Sequence, residues 1–452
     1  MAESTKDAQF EHMTKEPVPR LVVALAVPAI VSMMITNVYN LVDTAFVGTL
    51  GTSASGAVGV VFGFMAIIQA FGFMFGQGAG SIVSRSLGQR DGQKASAHAT
   101  LGFVAAFASG LLIAGLSFLQ IDRVVRLLGS TETIAPYAKT YISYILVAAP
   151  FMCSSFCLNN VLRYEGKAAL GTVGMAVGAV LNMLGDYVFM LVLGLGITGA
   201  GLSTAISEFV SWCVLLGMFL RGKTSAQLSF HALRQSHAAM LADIVATGFP
   251  SLLRQILNSI TTVILNSCCA VYGDAAVAGM SIVSRVFFFA FSIALGIGQG
   301  FQPVAGFNYG ARKYRRVRSA FRFTVLASQV IIVIAALVLF VFPEPIIARF
   351  RDDPAVLAVG VRALRLQAVA MLALPISVAT EMLYQCTGHR AGATFLSGLR
   401  NGLLFLPLLL VLSSVRGLAG IQEAQPLSYV LSLPVALPFI ARFFRGLPSE
   451  DE

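Results

Sequence analysis

Gly76-Gln77-Gly78 recurs as Gly298-Gln299-Gly300, 222 positions later, and that separation organises the whole chain. At the same offset Pro28 falls on Pro250, Gly51 on Gly273, Gly88 on Gly310 and Gly166 on Gly388. Residues that set backbone geometry thus recur in one register, the mark of an internal duplication. Between them lie apolar runs long enough for membrane helices, since about 20 residues cross a hydrocarbon core of about 30 Å. Twelve spans are predicted, at 21–45, 55–82, 99–120, 136–160, 168–193, 198–220, 241–270, 275–304, 321–342, 360–386, 391–413 and 418–441. Six is an even number of crossings, so both copies start on the same side and the repeat is parallel. The expected fold is an all-α integral membrane protein of two six-helix lobes, 21–220 and 241–442. A linker at 221–240 and polar tails at 1–20 and 443–452 complete it.

Composition agrees. Hydrophobic residues make up 57% of the 452, charged residues only 12%, and mean hydropathy is +0.80, which excludes a set of soluble domains. No apolar core or cleavage site precedes Leu21, so no removable signal peptide is expected. The formal charge of +10 resolves into a topological bias. One set of tails and loops carries Lys6, Lys15, Arg20, Arg85, Arg90, Lys94, Arg163, Lys167, Arg221, Lys223, Arg234, the run Arg312 to Arg322, Arg390, Arg442 and Arg445; the other set is far poorer. The positive-inside rule then puts both termini in the cytoplasm of a multi-pass plasma (inner) membrane protein. Nucleic acid is not needed to explain the charge, and membrane lipids are the expected neighbours of Arg312, Lys313, Arg315, Arg316 and Arg318. All six cysteines fall in apolar runs and read as small core residues, and the five histidines read as tail or loop residues.

A charge at mid-membrane costs at least about 2.5–3.5 kcal/mol, so ionisable residues inside the spans need a reason. They are Asp43, Asp186 and Glu208 in the first half, and Arg254, Arg285, Glu381 and Arg400 in the second. Asp43, Asp186 and Thr204 lie at comparable depths, roughly 7–12 Å from the outer surface at about 1.5 Å per residue. Asn182, four residues before Asp186, shares its helical face. Two carboxylates, an amide oxygen and a hydroxyl are all oxygen donors, suited to a hard cation, possible Na+ included, or to a shared proton. At the 222-residue offset Asp43 faces Leu265, Asn182 faces Leu404 and Asp186 faces Leu408, so only the first half is built this way. Glu208 fits a proton path or a structural pair, and the second-half charges fit structural pairing or snorkelling to helix ends. Phenylalanines and methionines crowd the second and eighth spans, from Phe62 to Met74 and from Phe287 to Phe291, as lipid-facing surface or as adaptable walls for lipophilic cations. No phosphate-binding loop follows Gly76-Gln77-Gly78-Ala79-Gly80, and no nucleophile–base pair stands out.

Three motifs carry a family resemblance: Tyr39-Asn40-Leu41-Val42-Asp43 through Phe46-Val47-Gly48, Arg163-Tyr164-Glu165-Gly166, and Gln302-Pro303-Val304-Ala305-Gly306-Phe307-Asn308-Tyr309-Gly310-Ala311. Together with the length, duplication and linker they resemble the multidrug and toxic compound extrusion (MATE) family, in its bacterial branch with the Gly-Phe-Asn-Tyr-Gly-Ala signature. The resemblance implies V-shaped lobes that export cationic or amphipathic small molecules in exchange for H+ or Na+, with no other cofactor, in a protein acting as a monomer. It maps the family's cation site onto Asp43, Asn182, Asp186 and Thr204, with the Ala200 carbonyl added, and a bending proline onto Pro28. Some members carry an acidic pair in the seventh and tenth helices, where this chain has Arg254-Gln255 and an out-of-register Glu381. The alternatives are a flippase of lipid-linked oligosaccharides and, from another class, a passive channel or a membrane-embedded enzyme.

Overall fold

The computed structural model describes residues 2–222, 224–229, 233 and 237–448. Lys223, Arg234, most of the linker's centre and the end of the C-terminal tail lie outside the described residues. Within a bilayer every backbone N–H and C=O must be paired inside its own segment, and the described residues answer with helices and no strand. Twelve are long and apolar enough to cross a membrane. In chain order they are α1 (Val18–Gly48), α2 (Thr52–Gly88), α3 (Gly92–Leu119), α4 (Ala135–Tyr164), α5 (Ala168–Val192), α6 (Gly196–Leu220), α7 (Ala238–Ala270), α8 (Asp274–Gly310), α9 (Tyr314–Val341), α10 (Pro354–Cys386), α11 (Arg390–Arg416) and α12 (Leu418–Arg445). A further helix, Ala2–Lys15, forms where only a polar tail was expected; it buries Met13, and that sulfur lies 3.0 Å from the Cβ position of Gly166.

The spans run past the apolar limits at one end. α2 continues through Ser84, Arg85 and Ser86, and α9 begins with Tyr314-Arg315-Arg316. These polar turns pack instead of meeting lipid: Ser84 and Ser86 are buried, and Asn308 Oδ1 accepts a hydrogen bond of 2.9 Å from Arg316 Nε, tying the end of α8 to the start of α9. Apolarity marks where a helix is inside lipid and not where its hydrogen bonding stops.

The duplication is written into the backbone. Gly51 and Gly273 open α2 and α8 at φ +104° and +91°, and Gly166 and Gly388 turn the chain at +83° and +85°. Arg90 and Arg312, also 222 apart, are the two described non-glycine residues at positive φ. Equivalent sequence positions thus adopt the same conformation in both copies.

The chain forms two compact units. The first comprises residues 1–15 and 31–252, the second 16–30 and 253–452. In the first, α4 is the most buried span, packed between α2, α3 and α6. The glycines of α2 permit close approach. A Cβ on Gly78 would meet the Ile244 carbonyl oxygen at 2.2 Å, and one on Gly248 the Met74 carbonyl oxygen at 1.9 Å, so α2 and the first half of α7 touch backbone to backbone. In the second unit α8 occupies the centre, where a Cβ on Gly300 would meet the Ala26 amide nitrogen at 2.5 Å. The repeated Gly-x-Gly is therefore a helix-crossing device.

Exposure of the other expected classes follows helix facing. Phe62, Phe288 and Phe289 are exposed, whereas Phe64, Met65, Met74, Phe287 and Phe291 are buried. Cys153, Cys157, Cys269 and Cys386 are buried, but Cys213 is exposed and Cys268 partly so, on outward faces of α6 and α7. His98 departs from the loop position expected of it: α3 starts early enough to bury its ring, with Nδ1 2.8 Å from the Lys94 carbonyl oxygen.

Candidate cation-coupling site

Asp43, Asn182, Asp186 and Thr204 belong to one compact unit and are buried, at 7%, 1%, 0% and 0% exposure. Their helices hold them at one level. Asp43 lies five residues before the end of α1, Asp186 six before the end of α5, and Thr204 eight after the start of α6. Directly after Asp186 the chain widens into a π-helical turn, Tyr187–Val192, a local geometry frequent at functional positions.

Two links are explicit. Asn182 Nδ2 donates to Thr204 Oγ1 at 3.2 Å, and Thr204 Oγ1 donates to the Ala200 carbonyl oxygen at 3.0 Å. Ala200 thus contributes its carbonyl to this network, as an acceptor for Thr204. The Asp43 and Asp186 carboxyl groups face each other. Pro28 lies within α1 but fifteen residues from Asp43, and it belongs to the other compact unit, which takes residues 16–30.

Residues beyond the expected set complete the cluster. Ser203 sits beside the Asp186 carboxyl group and donates to the Asn182 backbone carbonyl at 2.8 Å. Tyr141, fully buried in α4, places its hydroxyl beside Thr204. Tyr39 stands within electrostatic reach of both aspartates and of Glu208. Tyr39 is legible in the sequence, one helical turn before Asp43. Tyr141 obeys the same depth rule, six residues into α4, but carries no charge to draw attention to it.

The hydrogen-bond inventory is lopsided. Asp43 Oδ1, Asn182 Oδ1 and both Asp186 carboxyl oxygens are buried without a donor among the described residues. Ionised carboxylates and amide oxygens accept only, and an unsatisfied buried acceptor costs about 1–3 kcal/mol. Four such oxygens in one place suit a proton shared between the carboxylates or a small hard cation bound by oxygen.

The remaining in-span charges lie elsewhere. Arg254 pairs with Glu381, whose Oε1 also accepts from Ser397 Oγ at 2.7 Å. Arg285 is exposed, and Arg400 lies against two aromatic rings.

The multidrug export protein MepA of Staphylococcus saprophyticus is 26% identical over 417 residues, 92% of each chain, and that of Staphylococcus haemolyticus is 26% identical over 421. In fold, the chain matches the crystal structure of the MATE transporter VcmN of Vibrio cholerae at TM-score 0.88 and 23% identity, covering 95% of this chain and 97% of that one. A MOP superfamily transporter from Pyrococcus furiosus matches at TM-score 0.90 and 23% identity, covering 96% and 97%. The MatE family matches twice, over residues 28–188 and 250–411, beginning at the repeat-related Pro28 and Pro250. The chain belongs to the MatE family and is a multi-pass membrane transporter.

Proposed function

We propose that this transporter is a secondary exporter of lipophilic and cationic small molecules, driven by exchange for H+ or Na+ at Asp43, Asn182, Asp186 and Thr204. The observation that carries the reading is the group of four buried acceptor oxygens without donors among the described residues. MepA relatives named as multidrug export proteins support the substrate class.

In this reading the ion is cargo, taken up from outside. Asp43 and Asp186 hold a proton or Na+ between them, Asn182 supplies its amide oxygen, and Thr204 orients Asn182. Loading neutralises the carboxylate pair and repacks α1, with Pro28 as its flexible point. Alternating access then releases the ion inside. Both termini face the cytoplasm, following the Lys and Arg bias, and one chain suffices. A membrane potential of 100 mV contributes about 2.3 kcal/mol per charge moved, roughly a fiftyfold accumulation.

The test is efflux of a cationic dye from proteoliposomes under a pH gradient alone or a sodium gradient alone. Acceleration by one of them names the ion; dye movement indifferent to both in correctly inserted protein counts against ion exchange.

A further inference from the structure

Glu208 is an acid that the exchange proposed above leaves unused. It lies twelve residues from either end of α6, about 18 Å from each at about 1.5 Å per residue, too deep for its side chain to reach a lipid headgroup. Glu208 is partly exposed, but it stands on a packed face. Gly201 and Leu215, two helical turns to either side of it, are buried. A Cβ on Gly201 would meet the Tyr144 ring at 2.7 Å, so this face of α6 lies against α4 and not against lipid.

Nothing there answers the carboxyl group. Among the described residues its side chain makes no hydrogen bond and no ion pair, and no basic group lies within its electrostatic reach. The hydroxyls beside it on α6 are committed elsewhere: Ser207 Oγ donates to the Thr204 carbonyl oxygen at 2.9 Å, and Ser211 Oγ to the Gly174 carbonyl oxygen at 3.0 Å. An ionised carboxylate without a partner is costly at mid-membrane, so the group is the neutral acid in this arrangement. A hard metal cation is held by several oxygens at once, which Glu208 does not offer. A proton needs only one.

The link to the aspartate pair is Tyr39 of α1, one helical turn before Asp43 and within electrostatic reach of Asp43, Asp186 and Glu208. Tyr141 of α4, the other phenol turned to this region, reaches the two aspartates. A phenol donates and accepts at one oxygen, so it can receive a proton on one side while giving its own to the other and stay neutral.

We propose that Glu208 is a proton-carrying carboxyl separate from the four-oxygen cluster, so that one proton crosses through it in each cycle whichever ion the cluster takes. This rests on the exchange reading above and adds a second ion to it. In each cycle one O–H bond forms at Glu208 and breaks again, and the proton is taken up on one side and released on the other.

The test counts protons. Proteoliposomes hold equal sodium on both sides, potassium and valinomycin keep the voltage at zero, and the limiting gradient of a cationic dye is read under a difference of one pH unit. Each proton exchanged per dye molecule multiplies that gradient by about ten. Glu208→Gln should therefore lower it about tenfold: from about a hundredfold to about tenfold if the cluster carries a proton, or from about tenfold to none if the cluster carries Na+. Glu208→Asp, which keeps a carboxyl, should stay within about twofold of wild type. An unchanged limit in Glu208→Gln overturns the proposal and leaves ion exchange standing, as does an equal loss in Glu208→Asp. A wild type that builds no dye gradient under a pH or a sodium difference counts against the exchange reading itself. Should Glu208→Gln fail to insert, wild type decides: dicyclohexylcarbodiimide, which adds to protonated carboxyls in apolar surroundings, should label Glu208 in peptide mass spectra, and a Glu208 left unlabelled overturns the proposal.

Discussion

Asn182 Nδ2 donates to Thr204 Oγ1 across 3.2 Å, and this bond between α5 and α6 fixes which way the Asn182 amide points. With its nitrogen turned to Thr204, the amide oxygen is left buried among the other acceptors of the cluster. In the proposed exchange Thr204 acts on the ion through Asn182. Thr204→Ala is expected to weaken the dependence of export on the driving ion about tenfold, the value of one buried hydrogen bond at roughly 1.4 kcal/mol, and Thr204→Ser to stay within about twofold. Titration of efflux rate against driving-ion concentration reads the difference.

Arg254 and Glu381 pair inside the second unit, at 14% and 4% side-chain exposure. Removing one partner strands a buried charge. Arg254→Met should cost about 3–5 kcal/mol, and adding Glu381→Gln to it should restore most of that loss. Thermal unfolding in detergent of the single and double variants measures both. A single variant as stable as wild type would mean that the pair is solvated.

Glycine crossings make a sharper mechanical claim. A Cβ on Gly248 would lie 1.9 Å from the Met74 carbonyl oxygen, a backbone atom with no rotamer to escape by, whereas Gly63 of α2 has nothing within 4 Å. Gly248→Ala should lower stability by about 1–3 kcal/mol or more through forced helix separation. Gly63→Ala should be neutral or stabilising by up to about 1 kcal/mol. Melting temperatures of the two variants decide it.

At the membrane-flanking end of α4, Glu165 is fully buried. It accepts the backbone N–H groups of Ser225 and Ala226 at 3.0 Å each, so it anchors the start of the linker. Burial pushes its carboxyl up to about 7, partly opposed by Lys167 and the two N–H donors. A carboxyl raised in the folded state adds stability that is complete below its unfolded value, near 4.5, and is lost as pH rises through about 7. The stability advantage of wild type over Glu165→Ala should therefore shrink between pH 5 and pH 8, by up to about 3 kcal/mol. Thermal unfolding of both proteins across that range checks the sign, and an advantage that grows with pH would reverse it.

Much of this was legible in the sequence because the bilayer restricts the options. Apolar runs with forced internal hydrogen bonding read directly as α1 to α12, and the offset joining Pro28 to Pro250 is the one at which the MatE family matches twice. Depth along each helix was enough to group Asp43, Asp186 and Thr204, since helices crossing one slab share a common ruler. What was not legible depends on azimuth or on neutral polar groups. Ser203 and Tyr141 carry no charge to single them out, and the facing of Cys213 or the burial of His98 follows from packing that hydropathy does not encode. The Ala2–Lys15 helix was missed because it has no membrane-length apolar run; its register shows only when Met13 meets Gly166.

The most direct measurement is dye efflux from proteoliposomes under separate pH and sodium gradients, comparing wild type with Asp43→Asn at matched insertion. Acceleration of wild type by one gradient, with that acceleration lost in Asp43→Asn while the dye still binds, is the expected result. Export by Asp43→Asn that still responds fully to the same gradient would contradict coupling at this site.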